Sequence, residues 1–350
     1  MRRKAILVLT MLIGLSVALP SYAQMSDVVE ETHHAVVRSV VRDGDRQQLT
    51  VELLSGTQEG RSAELDFNGV RLETGDQLFV HRLVTLDGDE YLQIEEVDRR
   101  SALLWFTALF MFAVVALGRW QGVRALASLG VSIVAVIGVL VPRILAGGSP
   151  VLWATAVAIG ILFVSIALTH GRGRTAIAAF LGTAVAVGLT AALATVAVSI
   201  SKFSGLADDA AFYLDIGTGG AIDLRGLLLA AIIIGAVGVL DDVAITQAAA
   251  VKELNDAAPM LTARALFQRA LRIGREHVGA LVNTLALAYV GAALPLLLLF
   301  SHALSPLDQI VNREMIATEI IRALVGSIGV IAAVPLTTWF AVLLIKRRAR

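Results

Sequence analysis

The sequence predicts a mainly α-helical polytopic membrane protein. It has about seven transmembrane helices behind a small N-terminal all-β, barrel-like extracytoplasmic domain. Three observations carry this prediction. Hydrophobic residues make up 57% of the 350-residue chain and charged residues only 17%, more apolar than a soluble domain sustains. The apolar excess lies after residue 100, in runs long enough to cross a bilayer. Residues 24–100 are instead polar, with the period-two alternation of strands.

Residues 1–23 read as a secretory signal peptide or an uncleaved anchor. Arg2, Arg3 and Lys4 precede an apolar core from Ala5 to Leu19, and Ser21 and Ala23 are small residues where a signal peptidase reads. Either reading places residue 24 onward outside the cytoplasm.

The extracytoplasmic domain, 24–100, contains five short strand patterns at 35–41, 48–54, 62–67, 77–84 and 91–97. Asp43-Gly44-Asp45, Gly56, Asn68-Gly69, Gly75-Asp76 and Asp87-Gly88-Asp89 separate them, and such pairs supply the positive φ angles of tight hairpins. Five strands in so short a segment predict an OB-like or SH3-like barrel. Phe67, Phe79 and Tyr91 are assigned to its core, which leaves no aromatic ligand platform.

Residues 101–350 form the transmembrane domain. Apolar runs fall near 102–118, 125–141, 151–169, 176–200, 226–249, 278–300 and 318–345. In lipid the backbone must satisfy its own hydrogen bonds, so these runs are helices. With the β domain outside, thirteen basic residues fall in the inner loops and tail, and five (Arg143, Lys202, Arg225, Arg313 and Arg322) in the outer loops and flanks. This is the positive-inside bias, and it places the C-terminus in the cytoplasm. Residues 262–276 read as an amphipathic helix on the inner leaflet, or a short solvated connector. The 201–223 segment, with its GTGG at 217–220, reads as a flexible outer loop. Pro295 and Pro335 are candidate kinks.

Composition excludes several chemistries. There is no cysteine, hence no disulfide or thiolate site. Net charge is zero and no basic face is interleaved with aromatics, which argues against a nucleic-acid partner. No HExxH-type spacing occurs, and neither a metal nor a cofactor site is expected.

The stretch GAVGVLDDVAITQAAAVKEL, 235–254, interrupts an apolar run with Asp241 and Asp242. Asp242, Thr246 and Glu253 share one helical stripe, while Asp241 is turned about 100° away. Carboxylates and a hydroxyl are hard oxygen donors, suited to H⁺, Na⁺ or Mg²⁺. Two depths remain open. Counted from Leu224, Asp242 lies about 27 Å along its helix, close to the inner interface, but tilt or a groove would leave it inside the bundle. Asn283 and Thr284 of the next run lie at a similar depth and are expected to face it. The substrate or ion-binding candidates are thus Asp242, Thr246, Glu253, Asn283, Thr284 and Asp241.

These segments resemble the YibE/YibF-like family of bacterial multi-pass membrane proteins. The most specific are GVLDDVAITQAAAVKEL (238–254), RIGREHVGALVNTLALAYVGAALPLLLLF (272–300), RRSALLWFTALFMFAVVALGRWQGVRALASL (99–129) and HGRGRTAIAAFLGT (170–183). Asp242, Glu253, Arg275, Asn283, Thr284 and Tyr289 fall on family motif positions, and Thr246 stands where the family often has serine. Gln247 and the doubled Asp241 depart from the pattern. The resemblance implies a plasma-membrane protein with an exported β domain and no assigned activity.

Three function classes are compatible with the membrane reading. A permease, ion-coupled through the Asp242 stripe, ranks first. A non-transport assembly or sensor component, whose β domain docks a partner, ranks second. An intramembrane aspartyl enzyme ranks last, because it needs two facing carboxylates on different helices. No enzyme is expected. The solute and the oligomeric state are not encoded in these patterns.

Overall fold

The computed structural model describes residues 29–346, apart from 45, 57, 86–88 and 303–305. The signal segment 1–23 lies outside the described residues, as do Asp45, Asp87 and Gly88 of two expected turns and Arg347, Arg348 and Arg350 of the basic tail. The chain divides into two compact units, one ending at Leu117 and the other starting at Gly118.

The first unit holds an antiparallel sheet of β1 (Val29–Asp43), β2 (Arg46–Leu53), β3 (Ser62–Phe67), β4 (Gln77–Val84) and β5 (Glu90–Val97), in the order β3-β2-β1-β4-β5. β1 begins earlier than its alternation does. Its polar opening, VEETHH, pairs with β4 from Val29↔Val84 to Val36↔Gln77, and the remainder pairs with β2 from Ala35↔Leu53 to Asp43↔Arg46. One long strand therefore serves both halves of the sheet. A bulge between Val37 and Ser39 lets it bend.

The result is a half-barrel, with β3 and β5 as its two edges, where a small OB-like or SH3-like barrel was expected. Val37, Leu49, Val51, Leu53, Leu78 and Val80 fill its apolar face. The buried Gln47 holds the loop beneath, donating to Val70 O and accepting from Leu72 N, each at 2.9 Å. Tyr91 is not core as assigned but 58% exposed, because Leu92 and Ile94 take the inward positions of β5. Phe67 does pack on the core. The two edge strands are tied through one carboxylate. Arg61, just before β3, donates to Glu90 at 2.8 Å, and Arg82 of β4 donates to it at 2.6 Å. These bonds, Arg61's first, pull the Glu90 carboxyl down to about 2.

The helices follow. α1 (Arg100–Ala135) continues through a π-helical turn (Val136–Leu140) into α2 (Val141–Leu145). Next come α3 (Pro150–Thr169), α4 (Arg174–Ile200), α5 (Asp209–Gly217), α6 (Leu224–Ala257), α7 (Ala263–Ala292), α8 (Leu294–His302), α9 (Leu307–Val311) and α10 (Glu314–Lys346). Among the described residues, five helices are long and apolar enough to cross a membrane, or six if the bent pair α7–α8 counts as one. The first of the five carries two of the predicted runs, 102–118 and 125–141. Arg119, at φ 48° and ψ −128°, breaks the helix between them.

Of the two candidate kinks one is found and one is not, and two further segments differ from expectation. The 278–300 run is bent by 61° between α7 and α8, where Pro295 enters the first turn of α8 and lacks the N–H to continue the ladder. Pro335, by contrast, sits inside an uninterrupted α10. Residues 262–276 are not a separate surface helix but the first half of α7, with Leu266, Ala270 and Gly274 buried against the bundle. The 201–223 segment is ordered around α5, capped by Asp208, and Gly219 and Gly220 supply positive φ angles after it. Glu314 accepts from Ser204 N and Gly205 N at 2.8 Å and from Ser204 Oγ at 2.9 Å, and Arg225 donates to Phe203 O at 2.6 Å.

The bundle closes on α4, α6 and α10. α4 and α10 run antiparallel and meet twice. Gly182 faces Thr337, and two turns on Thr190 faces Gly329. A β-carbon on Gly182 would sit 2.6 Å from Thr337 Cα, so the backbones themselves touch there. α6 lies against this pair with Ile232, Ala236, Leu240, Val243 and Ala244 buried. Its Gln247, 4% exposed, donates to Ala270 O of α7 at 2.9 Å and to Thr338 Oγ1 of α10 at 2.7 Å. Gly274 leaves the room that this carboxamide fills.

Two outcomes follow. Gly182→Ala is expected to lower stability by roughly 1–3 kcal/mol, because backbone must move. Gly329→Ala is expected to cost less, since its closest neighbour is the Thr190 hydroxyl, which can rotate. Thermal unfolding in detergent checks the order, and equal losses would contradict the backbone contact. In the sheet unit, a carboxyl held at about 2 against an ordinary 4.5 stabilises the fold above the ordinary value. That stability is lost as pH falls between the two. Glu90→Gln should flatten the acid limb of β-sheet unfolding, followed by circular dichroism from pH 5 downward.

Candidate functional site

α3 acts as a ruler for the depth of the two aspartates. At one end, a β-carbon on Gly226 would lie 3.1 Å from Pro150 Cδ. Fifteen residues further along both helices, Ser165 Oγ donates to Asp241 Oδ2 at 2.8 Å. α3 and α6 therefore run in the same direction at constant offset. Asp241 sits about 22 Å from the Pro150 end of α3 and about 6 Å from its Thr169 end. It is one turn inside the bundle, not at its middle.

The two carboxylates have different surroundings. Asp241 is half-buried in the α3–α6 contact. Its Oδ2 is bonded to Ser165, and its Oδ1 is buried with no donor among the described residues. Asp242 is exposed. It lies within electrostatic reach of His170, the residue that caps α3. Partial burial holds the His170 imidazole below its ordinary range, and the Asp242 charge pulls the other way. Thr169 Oγ1 is 2.7 Å from His170 Nδ1 and donates to Ser165 O at 2.7 Å. Gln121, in the second arm of α1, donates to Thr169 O at 2.9 Å. A polar cluster of Asp241, Asp242, Ser165, Thr169 and His170 thus occupies the Thr169 end of α3.

The sequence-derived candidates are only partly brought together. Thr246 shares the Asp242 stripe, but its hydroxyl donates to Asp242 O, a backbone atom, at 2.8 Å. Glu253 is 79% exposed beside Lys252 at 3.6 Å, about 12 Å beyond the level where α3 ends. Asn283 and Thr284 are exposed on α7. Thr284 Oγ1 bonds back to Ala280 O at 2.9 Å, and no hydrogen bond among the described residues joins Asn283 to Asp242. The helix that supplies a partner to the aspartate pair is α3, not α7, and the carboxylate that meets it is Asp241. Gln247 is a packing tie.

A second charged group lies toward the other end of the bundle. Arg322 Nη2 is 3.3 Å from Glu319 on α10, both side chains are about three-quarters buried, and Arg322 Nε is buried with no partner among the described residues. Tyr289 of α7 lies within electrostatic reach of both. Its hydroxyl comes within 3.6 Å of where a Gly235 β-carbon would be, two turns from Asp242 on the same stripe of α6. Sequence reasoning counted Arg322 only as a loop flank. The i,i+3 charge pair at the head of an apolar helix was the available signal. Ser165 had none, since a lone serine in an apolar helix has no pattern.

No group of three His, Asp or Glu among the described residues is placed to hold a metal ion. No curated protein and no solved structure matches the chain. A family model described as YibE/F-like protein matches residues 106–347, which take in Asp241, Asp242, Ser165, His170, Glu319 and Arg322. The chain belongs to the YibE/F-like family.

Proposed function

We propose that the protein is a multi-pass plasma-membrane permease that moves an ion along the α3–α6 seam, with Asp241 as the ion-binding group. The carrying observation is the state of that carboxyl. One oxygen is satisfied by Ser165, and the other is buried without a donor. A carboxylate so placed is costly unless it takes up a proton or a cation. A proton fits a single carboxyl and a hydroxyl best, with Na⁺ next. Mg²⁺ needs more oxygen ligands than the described residues converge.

The bilayer reading has separate support. α1 leaves Leu103, Trp105, Phe106, Phe112 and Leu117 more than 60% exposed, an apolar surface that needs an apolar solvent. The basic bias puts the Thr169 end of α3 and the Lys346 end of α10 in the cytoplasm, with the sheet unit outside. On this reading the 100–145 helix crosses twice, seven crossings in all. Arg322, Glu319 and Tyr289 then supply polarity in the outer half, so charged groups occur on both sides of the midplane. The protein is a carrier and not an enzyme on this account.

The test is reconstitution into liposomes enclosing a pH-sensitive dye, with imposed H⁺, Na⁺ and Mg²⁺ gradients. Asp241→Asn is expected to lower flux roughly tenfold or more, and Asp242→Asn to lower it less. Flux at the normal rate in Asp241→Asn, or none in the unaltered protein, would overturn the reading.

A further inference from the structure

A groove of about 450 Å³ opens between the first turn of α7 and the last turns of α10. Its walls are apolar: Phe267 on one side, Trp339, Val342 and Leu343 on the other. Arg264 and Lys346 stand in its lining. Trp339 is half exposed. Lys346 Nζ donates to Pro259 O at 2.9 Å, which anchors the ammonium beside the turn leading into α7. Arg264 is exposed, and no ion pair to it is found among the described residues. A second groove, of about 250 Å³, has the same construction. Phe163, Ile177 and Phe180 wall it, and Arg172 is its cation, at the connection between α3 and α4.

We propose that the α7–α10 groove binds one anionic phospholipid of the cytoplasmic leaflet. Its phosphate lies between Arg264 and Lys346, and an acyl chain lies along Phe267, Trp339 and Leu343. Two cations beside a slot whose lining holds no acid, one of them anchored, select a negative headgroup, and the apolar walls select a chain over a free anion. The rings of Trp339 and Phe267 suit the boundary between the two. Charge is complementary over a wider area as well, because Arg269, Arg272 and Arg275 are exposed along the same half of α7. The inference rests on the bilayer reading above and is independent of transport.

The experiment uses the full chain in neutral detergent, titrated with phosphatidylglycerol, phosphatidylcholine, diacylglycerol or inorganic phosphate. Binding is followed by native mass spectrometry and unfolding temperature. Phosphatidylglycerol should bind and raise the unfolding temperature, and the other three should not. Arg264→Gln and Lys346→Gln should each weaken phosphatidylglycerol binding about fivefold, and Arg264→Lys should restore most of it. A Phe267→Ser variant should weaken it with both cations in place. Equal binding of phosphatidylcholine would overturn the charge selection, and equal stabilisation by inorganic phosphate would overturn the lipid assignment. Asp241→Asn should bind lipid as the unaltered protein does, so a failed flux assay leaves this result standing. A chain recovered outside the membrane fraction would remove both readings.

Discussion

The helical unit depends on backbone approaching backbone where α4 crosses α10. Gly182 against Thr337 and Gly329 against Thr190 form a reciprocal pair of contacts, each helix contributing one glycine and one threonine. Among helices whose surfaces are uniformly apolar, burying more hydrocarbon gives little preference for one neighbour over another. Close van der Waals contact supplies that preference. Once α4 and α10 are set, the groove they leave accommodates α6, and Gln247 reaches across to α7 and α10 from within it. A carboxamide with its donors satisfied on two other helices fixes rotation as well as distance. Asp241 meets Ser165 because α6 is held in that rotation.

Much of the architecture was legible in the sequence. β2, β3, β4 and β5 follow their alternation to within two residues, because one face of the sheet is buried and the other is not. The opening of β1 was illegible. VEETHH has no alternation, and only pairing with β4 makes it a strand. The long apolar runs coincide with helices. The break at Arg119 falls in the expected gap between the first two runs, and the 61° bend falls at Pro295, one of the two candidate kinks. Pro335, the other candidate, interrupts no helix, and a lone proline carries no signal that tells the two apart.

The polar site was half legible. Two adjacent aspartates in an apolar run were visible, as was the angle of about 100° between them. Which of the two meets a partner depends on the rotation of α6, and no single-helix periodicity carries that information. The stripe reasoning favoured Asp242 because more polar residues shared its face. The carboxylate bonded across helices is Asp241, whose single partner is on a helix far away in sequence. Gln247, which departs from the family pattern, is the tie between three helices.

The Glu314 carboxylate grips Ser204 and Gly205 with three bonds, while Arg225 holds Phe203 nearby. The head of α10, the loop after α4 and the start of α6 are thereby stapled at one rim. The opposite rim is fastened by other means: Gln121 donates to Thr169 O, Arg174 to Leu344 O and Lys346 to Pro259 O, each a bond from the end of a long side chain. Long side chains have many rotamers and yield more readily than one carboxylate bonded three times. Of the two rims, the one nearer Asp241 is therefore the softer.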